Sequence, residues 1–161
     1  MDPMTPEHLL EVAADIMEAA EFCFLITLHE SGRANARLMQ PFGPEEDMAV
    51  WLGASPESRK VEEILEDDRV TLAYGHGSKA AYVTLIGTAQ IQSDADNKQR
   101  YWRDSFREFW PAGPDDGSYI VIKFTPTRVE LMDIERQVAP EPSGLRPAVV
   151  VWDEDQWQLE A

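Results

Sequence analysis

The chain has 161 residues, 43% hydrophobic and 27% charged, which fits one domain with a core and excludes a disordered chain. Its 30 acidic and 14 basic residues leave a formal net charge of −16. That balance excludes general binding to nucleic acid or to anionic membranes, because both need excess positive charge to displace counterions.

The first helix is predicted to start at Thr5. Thr5 suits an N-cap, Pro6 the first helical position, and Glu7 the positive end of the helix dipole. Leu9, Leu10, Val12, Ala13, Ile16, Met17 and Ala20 then fall on one stripe. Residues 22–29 read as a strand, Glu30-Ser31-Gly32 as a turn, 33–40 as a returning strand, and 48–53 as a third strand after a loop. A second helix is predicted with Ser55 as N-cap and Pro56 as its first residue, burying Val61, Ile64 and Leu65. Strands over 69–74 and 80–92 follow, around a turn with Gly75 and Gly77. Gly87, in the middle of the long strand, signals a bend or a close backbone approach.

Residues 94–109 read as one aromatic-rich helix and 110–117 as a Pro/Gly loop. Two strands are expected over 119–124 and 128–132, separated by Thr125-Pro126-Thr127. Residues 135–147 read as an exposed connector, and 147–152 with 156–159 as a terminal hairpin across Asp153-Glu154-Asp155. Strands outnumber helices, so the expected architecture is mainly β with flanking helices. An antiparallel barrel, closed or partly closed, removes exposed strand edges. The single cysteine, Cys23, lies in the run Phe22-Cys23-Phe24-Leu25-Ile26. It allows no intramolecular disulfide and reads as a buried structural thiol. No apolar run approaches the roughly 18 residues of a membrane helix. Met1-Asp2-Pro3-Met4 lacks the marks of a signal peptide, and a cytoplasmic protein is expected.

Three stretches carry candidate chemistry. In Ser55-Pro56-Glu57-Ser58-Arg59-Lys60 a strand hands over to a capped helix, with a hydroxyl and two cations at its start. Helix N-termini offer unpaired N–H groups and partial positive charge, so Ser58, Arg59 and Lys60 can cradle a phosphate. The competing reading pairs both cations with Glu57, Glu62 or Glu63 along the helix, at roughly 0.3 kcal/mol per pair. In Arg33-Ala34-Asn35-Ala36-Arg37-Leu38-Met39, strand alternation puts Arg33, Asn35, Arg37 and Met39 on one face. The plainer reading is two solvated arginines; the alternative is a face for an anionic ligand. Tyr101, Trp102, Phe106, Phe109 and Trp110 form the third stretch. Phe106 and Phe109 read as core, while Trp102 and Trp110 are open between core packing and a flat ligand. His8, His29 and His76 have no ligand spacing among themselves or with Cys23, so no metal site is expected. No P-loop, nucleophile elbow or dinucleotide-binding glycine pattern is present.

The run Ser55 through Ile64 resembles the phosphate-binding helix start of the pyridoxamine-phosphate-oxidase-like family. Phe109-Trp110-Pro111-Ala112-Gly113-Pro114-Asp115-Asp116 and Thr125-Pro126-Thr127-Arg128-Val129-Glu130-Leu131-Met132-Asp133 resemble its general-stress-protein branch. Gly32-Arg33, Arg37 and Gly87-Thr88-Ala89 fall in matching order, and the likeness covers roughly residues 5–134.

This resemblance implies an FMN-binding split β-barrel over residues 1–134, with 135–161 packing on the barrel or exchanged with it. It implies a homodimer with flavin at the subunit interface. Arg37, Arg59 and Lys60 would bind the FMN phosphate, with Ser58 assisting. Leu38 and Met39 would offer backbone groups to the flavin ring, and Tyr82 would approach from the other subunit. Trp102 and Trp110 would line the pocket. The implied activity is a flavin-dependent oxidoreductase with a small substrate or a nicotinamide reductant. Its rivals are a non-catalytic flavin-binding stress-response protein and a barrel using the deazaflavin F420 or haem. Two departures stand out. Ala54 replaces a frequent Thr before the helix, and Asp133-Ile134-Glu135-Arg136 replaces the basic Arg/His/Arg segment of true pyridoxamine phosphate oxidases. Vitamin B6 oxidase activity is therefore not expected.

Overall fold

The computed structural model describes residues 5–139 and 146–160. Eight strands run β1 Cys23–Leu28, β2 Ala34–Met39, β3 Val50–Ala54, β4 Arg69–Gly75, β5 Ala81–Gln92, β6 Ile120–Asp133, β7 Ala148–Asp153 and β8 Gln156–Leu159. Every ladder is antiparallel. The order is β2-β1-β4-β5-β6, after which β6 serves two neighbours. Ile120 to Phe124 pair with β3, and Arg128 to Leu131 pair with β7, which carries β8 on its far side. Among the described residues no ladder joins β2 to β3, so the barrel is split there.

β1, β4 and β5 bury alternate residues, as one packed face requires. In β1, Cys23, Leu25 and Thr27 face the core. Helix α1, Pro6–Ala19, covers it with Leu9, Val12, Ala13, Ile16 and Met17, and its Thr5 cap accepts from the His8 amide at 3.2 Å. Full burial of an aliphatic side chain of this kind stabilises by roughly 1.5–3 kcal/mol, so this stripe holds α1 in place. Cys23 is buried as expected, and burial pushes its thiol up to about 12. The outer sheet face is different. Phe24 of β1 sits opposite Leu38 of β2, and they are 49% and 58% exposed.

Several expectations are corrected. The 119–124 and 128–132 strands are one strand, β6, running through Thr125-Pro126-Thr127. Its register slips between Ile86 and Gly87, because Arg128 faces Ile86 and Pro126 faces Gly87, leaving Thr127 as the extra residue of a bulge. Proline is tolerated at such a bulge, where it breaks no ladder hydrogen bond. The 94–109 helix is two pieces, α3 Ala95–Arg100 and a 3₁₀ turn at Asp104–Glu108. Tyr101 ends the first, with φ −108° and ψ 69°. Phe106 is buried as expected, but Phe109 is exposed. Among its described residues the predicted connector is exposed at 135–137 and at 146. Val138 is buried and bridges to Asp133, and Ala139 is buried too; residues 140–145 lie outside the described residues. The terminal hairpin forms around Glu154 and Asp155, whose φ of 49° and 63° match the tight turn that twisted strands favour.

Candidate functional site

Helix α2 spans Arg59–Glu66, with Ser58 rather than Ser55 as its N-cap. Ser55-Pro56-Glu57 form a preceding turn, in which the Ser58 hydroxyl donates to the Ser55 carbonyl at 2.7 Å. The Ser58 side chain therefore caps no helix amide. The amides of Val61 and Glu62 bond the Ser58 carbonyl, while those of Arg59 and Lys60 have no acceptor among the described residues. Two backbone donors and the positive end of the helix thus stay available to an anion. Leu65, expected inside, is exposed, and Glu63 takes the inward position with Val61 and Ile64.

α2 reaches across the open seam through Glu63. Its carboxylate accepts from Thr27 Oγ1 of β1 at 2.9 Å, Asn35 Nδ2 of β2 at 2.8 Å and Arg37 Nη2 of β2 at 3.1 Å. Arg37 Nη1 also donates to Thr27 Oγ1 at 2.6 Å and to the carbonyls of Leu25 and Asn35. Burial pushes the Glu63 carboxyl up, but these three hydrogen bonds and the Arg37 charge outweigh it and hold the group below its usual range. Lys60, one turn earlier and half-buried, has its ammonium lowered by burial and by the nearby Arg37 charge.

The expected residues separate into groups. Arg37, Lys60 and the α2 start meet at the seam. Arg59 is exposed and lines a groove of about 450 Å³ with Leu28, Glu62, Glu63 and Glu66, and it forms no ion pair among the described residues. Arg33 is exposed, its Nε donating to Asn35 Oδ1 at 3.3 Å. Met39 packs against the core, whereas Leu38 points outward. Tyr82 is half-buried on the outer face of β5, beside Met132, so it lies on the opposite sheet face from Arg37.

Trp102 and Trp110 belong to a second apolar cluster with Trp51, Tyr101, Phe106 and Tyr119. Trp110 Nε1 donates to the Ser118 carbonyl at 2.6 Å and to Ser55 Oγ at 3.2 Å, which braces the turn before α2. Trp102 Nε1 is buried with no acceptor among the described residues. Arg103 bonds the carbonyls of Gln40 at 3.1 Å and Pro41 at 2.6 Å and lies 4.1 Å over the Phe42 ring, fixing the segment that leaves β2.

Sequence reasoning missed Glu63, Thr27 and Arg103 as members of this arrangement. Thr27 carried a signal, a polar residue at an inward position of an otherwise apolar strand. Glu63 carried none, since it sits among the glutamates of an acidic helix.

The fold and seam define an antiparallel split β-barrel with the N-terminus of a helix at its opening. Residues 8–139 match the family model described as pyridoxamine 5'-phosphate oxidase like, and the chain belongs to that family. General stress protein 26 of Bacillus subtilis (strain 168) is 26% identical over 133 residues, covering 81% of this chain and 92% of that protein. Among solved structures, a Clostridium acetobutylicum protein related to general stress protein 26 superposes with a TM-score of 0.75 at 22% identity, covering 94% of this chain and 99% of that one. A pyridoxamine 5'-phosphate oxidase-related, FMN-binding protein of Nostoc punctiforme gives a TM-score of 0.67 at 16% identity, covering 95% and 94%.

Proposed function

We propose that this protein binds FMN across the seam, as a homodimer, and is a flavin-dependent oxidoreductase acting on a small substrate other than pyridoxamine phosphate. The observation that carries this reading is the start of α2. Two amides without acceptors, the half-buried Lys60 and the fixed Arg37 converge there, as a phosphate monoester needs. Arg37, Lys60 and the backbone of Arg59 and Lys60 would hold the phosphate, and Arg59 would add charge from the rim. The backbone of Leu38 and Met39 borders the seam on β2 and would flank the ring. When bound, FMN supplies electron transfer between a reduced nicotinamide and an acceptor, which a chain without an evident acid–base pair does not supply itself.

Tyr82 could approach that ring only from a second subunit, because it lies on the outer sheet face. That same face carries the exposed Phe24–Leu38 pair, continued by Ile26 opposite Ala36 and Leu28 opposite Ala34. A second copy of the chain is the expected cover for this apolar surface. Sedimentation should report a dimer, and Phe24→Lys with Leu38→Lys should shift it to monomer; a monomeric wild type would remove Tyr82 from the site. Vitamin B6 chemistry is not expected, because Arg136 is the sole cation after β6 before residue 140 and already pairs with Asp15 at 2.7 Å.

Lys60→Ala should weaken FMN binding roughly tenfold through loss of a charge-assisted hydrogen bond. Isothermal titration measures this, and unchanged affinity would refute the phosphate placement. Anaerobic addition of NADH or NADPH to the FMN complex should bleach the flavin absorbance, with recovery on adding an acceptor. A flavin that stays oxidised would favour a non-catalytic flavin-binding protein.

A further inference from the structure

The seam brings two cations together in partly buried surroundings. Arg37 comes from β2 and Lys60 from α2, and the Arg37 charge lowers the Lys60 ammonium. Alone, a guanidinium on an edge strand would swing away from a neighbouring ammonium toward water. Here it is held. Nη1 is committed to three acceptors and Nη2 to Glu63, while Nε has no acceptor among the described residues. The side chain is 19% exposed and Glu63 only 7%, so the anchored edge lies inward and a free edge remains for a ligand. Glu63 is itself fixed from three sides, by Thr27, Asn35 and Arg37. A carboxylate this buried beside an anion-binding site has an electrostatic cost, since it repels the phosphate it adjoins.

We propose that Glu63 is a positioning residue for the phosphate site. It anchors one edge of Arg37 so that the other edge is presented to the phosphate beside Lys60, and this geometric gain exceeds its repulsion of the ligand. The inference rests on the FMN reading above and deepens it. Glu63 touches no ligand and acts through Arg37 alone, so its effect is confined to the phosphate end.

Riboflavin, which carries the same ring without the phosphate, isolates that end. The experiment titrates FMN and riboflavin separately against the wild type, Glu63→Gln and Asn35→Ala by quenching of flavin fluorescence. Glu63→Gln keeps the shape of the side chain and removes its charge. Asn35→Ala removes one of the ties on Glu63 at a half-buried position. The ratio of FMN to riboflavin affinity should fall about tenfold in Glu63→Gln, the equivalent of one charge-assisted hydrogen bond, and by less in Asn35→Ala, with riboflavin affinity unchanged. A ratio that stays constant while both affinities fall marks Glu63 as merely structural and overturns the proposal. A ratio that rises shows that repulsion dominates and also overturns it. A wild type that binds FMN no better than riboflavin removes the phosphate site and both readings. A wild-type preference that survives Glu63→Gln removes this inference alone.

Discussion

Gly87→Ala should destabilise the protein by about 3 kcal/mol, the upper range for forcing extra atoms into a packed interior. The reason is backbone against backbone. A Cβ at Gly87 would lie 2.0 Å from the Thr125 carbonyl oxygen and 2.7 Å from Pro126 Cα. No side-chain rotation relieves such a contact, so β5 must separate from β6 at the point where β6 bends and exchanges β3 for β7. The damage therefore reaches beyond one residue and loosens the joint between the barrel and its terminal hairpin. Urea unfolding should show a lower midpoint at an unchanged slope. A midpoint equal to that of the wild type would mean that the bulge yields at no cost and that Gly87 is dispensable.

The close approach at Gly87 was legible in the sequence, and its partner was not. A glycine inside a long apolar strand signals contact with something, but only the pairing register identifies Thr125-Pro126. The same gap explains why local rules divide β6 into two strands. Pro126 removes a donor and normally ends a ladder, and local rules cannot see that a bulge opposite Gly87 accommodates it. The break at Tyr101 was hidden for a related reason. Tyr101 leaves the helix because its ring stacks on Trp51, with centroids 4.2 Å apart, and its hydroxyl donates to Glu45 at 2.8 Å. Both partners lie some 50 residues earlier in the chain. By contrast, α1, the β1–β2 hairpin and the terminal hairpin are set by caps, turns and alternation within a few residues, and these were readable.

The site divides in the same way. The strand-to-helix handover at Ser55–Lys60 and the shared face of Arg33, Asn35, Arg37 and Met39 follow from local periodicity, but that Arg37 is held inward rather than solvated does not. Which carboxylate of an acidic helix turns inward does not. Glu62, Glu63 and Glu66 are alike in sequence, and Glu63 is selected only because β1 and β2 present Thr27, Asn35 and Arg37 to it. Leu65 is displaced outward by the same rotation of α2, its apolar side chain left on the surface so that a charged one can cross the seam.

Arg37→Ala should cost about 3–5 kcal/mol of stability at neutral pH, because it leaves Glu63 buried without its counter-charge. The pH dependence gives this loss a signature. In the wild type the Glu63 carboxyl lies below its ordinary value. Its contribution is therefore fully present above the unfolded carboxylate pKa of about 4.3 and is lost as pH falls through the lower folded value. Without Arg37, the counter-charge and one of the three hydrogen bonds that oppose burial are gone, so the folded pKa rises. The carboxylate then contributes less at neutral pH, and the variant's deficit closes as Glu63 takes up a proton. The gap between the two urea midpoints should thus be widest near pH 7 and narrow as pH falls into the carboxylate range. Arg37→Met combined with Glu63→Leu should restore much of the neutral-pH stability, since apolar groups of similar volume need no charge partner, while abolishing the preference for FMN over riboflavin. That combination would separate the stability of the seam from its binding role. A gap that stays constant across the pH range would show that Glu63 does not depend on Arg37 for its charge, and the electrostatic account of the seam would fail.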